Sequence, residues 1–204
     1  MLATKIFLVR HGETQWNLEG RMQGHLDSPL TDKGVAQAQA LAEKLRHYAF
    51  AALYSSDLSR AMRTAQYLSK QQVFLKSCLR ERNLGIFQGA LKKDLDVLFP
   101  EEFRHYSTHH PDYVVPDGES GLQFRKRCVK CLEEIAQQHL GEQILVVAHG
   151  GVLNSIFKHT FDLPYAFPRH FSLSNAALNV FSYHSHHWTL ETWGEVSHLE
   201  NLKF

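Results

Sequence analysis

Two stretches of the chain are apolar without alternation, "KIFLVR" (Lys5 to Arg10) and the "ILVV" of "QILVVAHGG". Short continuous runs rich in branched residues are what strands buried on both faces present. Other segments switch to helical spacing. In "LTDKGVAQAQALAEKLRHY" the apolar positions Val35, Ala38, Leu41, Ala42 and Leu45 share one face, with Thr31 at the N-cap position. "AALYSS" (Ala51 to Ser56) reads as a second strand. "DLSRAMRTAQYLSK" then predicts a helix with Leu58, Ala61, Ala65 and Leu68 on one face and Asp57 or Ser56 near its start. "VFLK" near Val73 is a third, short strand. "GLQFRKRCVKCLEEIAQQHL" is a long amphipathic helix, and "VLNSIFKHTF" also reads as helical. "AALNVFSYHSHHWTLETW" alternates and is aromatic-rich, which predicts a strand pair.

Strand and helix thus alternate for most of the length. The implied fold class is α/β, a three-layer α/β/α sandwich with a mainly parallel sheet. Residues 80–120 break the rhythm, punctuated by Gly85, Gly89, Pro100, Pro111, Pro116 and Gly118. They predict short helices around Leu91 to Phe99 and Glu101 to Tyr106, in an excursion large enough to form a lid. No linker or repeat divides the 204 residues, so residues 1–204 are expected to form a single domain.

Composition narrows the function. A net charge of +1 creates no bulk field for nucleic acid or an anionic membrane, so positive charge for an anionic ligand must be concentrated locally. No apolar run approaches the roughly 18 residues that span a bilayer. The start shows no signal-peptide pattern, and three cysteines, an odd number, lead us to expect reduced thiols and a cytoplasmic address.

The candidate chemistry lies at two strand ends. "LVRHG" and "VVAHGG" share one design, an apolar strand followed by histidine and glycine. In open α/β sheets ligands bind outside the carboxyl ends of strands, so His11 and His149 converge if their strands are neighbours. Each histidine alone reads equally as a hydrogen-bonded strand cap. Arg10 beside His11 argues against a metal, because a guanidinium cannot shed its charge next to a cation. "SSDLSRAMRTA" adds Arg60 and Arg63 near a helix N-terminus, whose partial positive charge favours anions. Asn17, Arg21 and Gln23 supply further donors, and together the set describes a phosphoryl pocket.

"RHGET" with Trp16 and Asn17, "GHLDSPLTDKG", "YSSDLSRAMRTA", "LRERNLGIFQG", "PDGES" and "VVAHGG" follow one another in the order seen in the histidine phosphatase superfamily, the phosphoglycerate mutase-like group, which the chain resembles over most of its length. The resemblance implies that His11 is a nucleophile forming a phosphohistidine, and that Arg10, Arg60 and His149 hold the phosphoryl oxygens. It implies Glu81 as general acid and base, although locally Glu81 also reads as an ion-pair partner of Arg80 or Arg82. Asn17, Gln23, Gly24 and Gly150 would complete the phosphate contacts, with no metal or other cofactor needed. Arg63 is the more doubtful arginine, equally placed for the helix surface.

The family holds hydrolases and mutases. The lid lacks the adjacent arginine pair of the cofactor-dependent mutases, and the chain ends at Phe204 soon after the last predicted strand. Both features favour a phosphomonoesterase acting on a small phosphorylated metabolite. Phosphoglycerate mutase-type transfer is the alternative, and a non-catalytic phosphate-binding module comes third. Neither the substrate nor the oligomeric state is readable. "CVKC" (Cys128, Cys131) reads as helix packing, "HSHH" (His184, His186, His187) as a solvated hairpin, "STHHPD" (His109, His110) as a loop and "RKR" (Arg125 to Arg127) as a solvated helix face.

Overall fold

A computed structural model describes residues 2–202. The strands β1 (Thr4–Arg10), β2 (Ala52–Ser55), β3 (Val73–Leu75), β4 (Gln143–Ala148), β5 (Leu178–His184) and β6 (His187–Glu195) form one sheet in the order β3-β2-β4-β1-β5-β6. The pairings β2–β3, β2–β4 and β1–β4 are parallel, while β5 runs antiparallel to β1 and β6. Because side chains alternate across a strand, the two unbroken apolar runs feed two cores. Ile6, Leu8, Ile144 and Val146 pack on one face against α6 (Gly121–Gln137) and α7 (Gly150–Thr160). Phe7, Val9, Leu145 and Val147 pack on the other against α2 (Asp32–Leu45) and α3 (Ser59–Leu68). This is the expected sandwich, with a mainly parallel sheet between helical layers.

The helix starts are where local chemistry and tertiary structure diverge. Thr31 caps α2 as expected, its side chain accepting from the Gly34 N–H. At α3 neither Asp57 nor Ser56 is the cap. Leu58 occupies that position without a side-chain bond, and the Asp27 carboxylate, distant in sequence, takes the Ser59 N–H at 2.6 Å. The loop after β1 contains an unpredicted helix, α1 (Gln15–Glu19), closed by a reciprocal capping box between Thr14 and Asn17. The excursion 80–120 contains α4 (Leu95–Leu98) and α5 (Pro100–Ser107) and has its own small core of Leu84, Phe87, Leu95 and Val115.

Two further expectations are corrected. Cys78 and Cys131 are joined in a disulfide with their Cα atoms 5.9 Å apart, within the usual range for such bonds. Two of the three cysteines are therefore oxidised, and the argument for a cytoplasmic address drawn from reduced thiols no longer follows. Cys128 is free and buried, and burial pushes its thiol pKa up. The "RKR" stretch is not a solvated face: Lys126 is exposed, but Arg125 and Arg127 turn inward onto backbone carbonyls. Among the described residues no helix is long and apolar enough to cross a membrane. Phe204, on which the short-chain argument rests, lies outside the described residues.

Candidate active site

The parallel register sets Arg10 opposite Ala148, so the next residues of both strands, His11 and His149, leave the sheet side by side. Their rings meet edge to face with centroids 5.2 Å apart. His11 is buried at 3% exposure, and its Nδ1 lies 2.8 Å from the Gly12 carbonyl oxygen. A carbonyl can only accept, so Nδ1 carries the proton and Nε2 carries the lone pair. Burial, followed by the charges of Arg60 and Arg10, holds the His11 pKa well below the ordinary histidine value, which keeps the ring neutral. Gly12 is required here, because a Cβ would collide with the Gly34 backbone. His149 is fully buried, with Nε2 2.8 Å from Ser56 Oγ and Nδ1 without a partner. Its pKa is likewise well below normal, from burial and then Arg60.

Two guanidinium groups flank the histidines. Arg60, at 1% exposure, donates to the Leu26 carbonyl at 2.8 Å, the Gly24 carbonyl at 2.8 Å and the Asp27 carboxylate at 2.7 Å. Arg10 donates to the Leu173 carbonyl. The Nε of each arginine is buried with no hydrogen-bond partner, an unmet donor that an anion would satisfy. Burial is the largest cause lowering both arginine pKa values.

Glu81 stands across from them. Its Oε2 accepts from the Gly151 N–H at 2.9 Å and its Oε1 from the Arg82 N–H at 2.8 Å. The local ion-pair reading fails for a clear reason. Arg80 forms its pair with Asp57, and the Arg82 guanidinium goes to Tyr165 Oη and to the Glu119 and Tyr113 carbonyls. Gly151 makes the arrangement possible, since a Cβ there would strike the Glu81 carboxylate. From below, Arg127 binds the carbonyls of Cys78, Arg80 and Glu81 and pairs with Glu119.

A cavity of about 310 Å³ opens between these elements and is lined by Arg10, His11, Asn17, Gln23, Gly24, Arg60, Glu81 and Gly150. Eight of the nine residues that the resemblance assigns thus share it, and Arg21 lines it as well. The ninth, His149, sits behind His11 and does not line it. Gln23 Nε2 binds Thr14 Oγ1 at 2.9 Å and leaves its Oε1 buried and unpartnered, while the Gly24 carbonyl is occupied by Arg60. Arg63 is exposed and lies outside the cavity. Tyr165, Asn154 and Phe124 also line it, none of them signalled by a motif. Asn175 was missed too; it donates to the His11 carbonyl at 2.9 Å and to Asn17 Oδ1 at 3.3 Å. Arginines around a neutral imidazole and a carboxylate suit a tetrahedral anion better than a cation.

Phosphoglycerate mutase-like protein 4 of Arabidopsis thaliana is 39% identical, over 98% of this chain and 89% of its own length. A metal-independent phosphoserine phosphatase from the same plant is also 39% identical, over 98% and 85%. The solved structure of Bacillus stearothermophilus YhfR superposes with a TM-score of 0.89 at 31% identity, covering 97% of this chain and all of that one. Residues 6–196 match the profile of the histidine phosphatase superfamily (branch 1), and the chain belongs to that superfamily.

Proposed function

We propose that the chain acts as one phosphoglycerate mutase-like domain and hydrolyses a small phosphomonoester through a phosphohistidine on His11. The observation that carries this reading is the His11 ring itself, neutral, with its Nδ1 proton committed to Gly12 and its Nε2 free to attack. In the first step His11 Nε2 attacks phosphorus in line while the P–O ester bond breaks. Glu81, protonated, gives its proton to the leaving oxygen. In the second step Glu81 takes a proton from water, whose oxygen attacks phosphorus and releases His11 and phosphate. Arg10, Arg60 and the Gly150 end of α7 offset the charge on the phosphoryl oxygens, with the unmet Nε donors of the arginines available for that purpose. Asn17 and Gln23 orient the group. His149, outside the cavity lining, packs against the His11 ring and positions it rather than holding a phosphoryl oxygen itself. This sequence requires no metal, because the positive charge is supplied by arginine.

The small-substrate class is supported by the relative named as a phosphoserine phosphatase. Mutase-type transfer is a second reading, favoured by the relative named phosphoglycerate mutase-like. Both are tested by release of phosphate from p-nitrophenyl phosphate in EDTA, with 3-phosphoglycerate and its bisphosphate cofactor assayed in parallel. EDTA-resistant release should fall by roughly 10⁴-fold or more in His11→Ala. Interconversion of phosphoglycerates without hydrolysis would favour the mutase, and binding without either reaction the non-catalytic module. Unchanged hydrolysis in His11→Ala would sink the mechanism.

A further inference from the structure

Beyond the lid the candidate active site continues into a second cavity of about 520 Å³. The two share Tyr106, Asn154 and Tyr165, and the second adds Lys158, Arg169 and His109, with no carboxylate in its lining. Lys158 on α7 is only 6% exposed. Its ammonium donates to the Tyr165 carbonyl at 2.5 Å and lies 5.5 Å from the centre of the Tyr165 ring. Among the described residues, neither Lys158 nor Arg169 has an acidic partner within 4.0 Å. A buried ammonium ordinarily has one. Burial, then the charges of Arg125 and Arg169, push the Lys158 pKa down, and Arg169 also depresses that of Arg10. One exposed guanidinium therefore lies in electrostatic reach of both cavities. At their junction the Asn154 side-chain oxygen is buried without a hydrogen-bond partner.

We propose that Lys158 and Arg169 form a carboxylate subsite and that Asn154 accepts from a neighbouring ammonium or hydroxyl. The substrate is then a small phosphomonoester bearing an α-amino or α-hydroxy carboxylate. The inference rests on the phosphoesterase reading above. An unpartnered acceptor beside two cations favours a carboxylate with an adjacent donor over a second phosphate, which would set another acceptor against Asn154.

The test is a binding measurement, which does not depend on turnover. His11→Ala protein is titrated calorimetrically with O-phosphoserine and with O-phosphoethanolamine, which differ only in the carboxylate. O-phosphoserine should bind about tenfold more tightly or better, as expected for a charge-assisted contact out of bulk water. Adding Arg169→Ala or Lys158→Met should bring the two affinities within about threefold of each other. Arg169 is exposed, so its variant decides the matter even if Lys158→Met does not fold. Equal affinities in the starting protein, or parallel losses for both ligands, would overturn the subsite. Tighter binding of propane-1,3-diol bisphosphate than of O-phosphoserine would overturn the carboxylate assignment. Failure of the phosphoesterase reading would show separately, as absent p-nitrophenyl phosphate release by the unaltered chain while the discrimination between the two ligands persists.

Discussion

The carboxyl edge of the sheet and the lid are built by different means. At the edge, β1 is paired on both sides, and His11 is held by a backbone bond to Ala148, a ring bond to Gly12 and the packed His149 ring. The lid rests on a core of four buried residues and on helices of four and eight residues. It is tied down by cations: Arg82 spans Tyr113, Glu119 and Tyr165, and Arg127 grips the chain at Arg80 and Glu81. The edge is rigid because the backbone ladder positions its side chains, whereas the lid depends on a few side-chain clamps that reach far along the sequence. Glu81 belongs to both, lying at the start of the lid while its carboxylate is fixed by the first turn of α7.

After the loss expected for His11→Ala, the next largest effect should come where the two regions meet. Glu81→Gln keeps the shape and removes the transferable proton, so kcat for an alkyl phosphate should fall by roughly 10²- to 10⁴-fold. The loss should be smaller for p-nitrophenyl phosphate, whose leaving group needs little protonation. Equal losses on both esters would mean that Glu81 only positions the site.

A second expected effect concerns the tether beneath the lid. The Cys78–Cys131 bond joins residues 53 apart and anchors the turn that precedes Arg80 to α6. Chain entropy alone predicts that Cys78→Ser lowers unfolding stability by up to about 4 kcal/mol. Denaturant titration with and without reductant measures this, and the reductant should have no further effect on the variant.

The smallest effect tests the edge alone. The folded-state pKa values of His11 and His149 lie below the unfolded value near 6.5, so the unfolded chain binds more protons as pH falls. Their contribution is fully present above that value and is lost below it, at up to about 1.4 kcal/mol per pH unit for each histidine. Stability measured from pH 7.5 to 5 should fall along this slope. His149→Gln should reduce the slope by one histidine's share, with the also depressed His25 and His198 still contributing.

Much of the edge was legible in the residues themselves. Two unbroken apolar runs declared doubly buried strands, and each ended in histidine and glycine, where a ligand-binding edge was expected. The residues of the first loop and α3 that the motif order assigned to phosphate line one cavity. What escaped were contacts between residues far apart in the chain. The cap of α3 comes from Asp27, the clamp on Glu81 from Arg127, and the brace behind His11 from Asn175. The Cys78–Cys131 bond is of the same kind, joining residues 53 apart in the chain, where "CVKC" reads locally as helix packing.

The sequence by itself determined the layer order and the strand ends, because periodicity and glycine placement act over a few residues, while the order of its motifs supplied the expected reacting groups. Tertiary structure alone decided which nitrogen of His11 is free, that His149 stands behind it, and that Lys158, Arg169 and Asn154 border a second cavity. Those outcomes depend on burial and on which charges meet through space. Periodicity and glycine placement do not record either, since both follow from folding distant segments together.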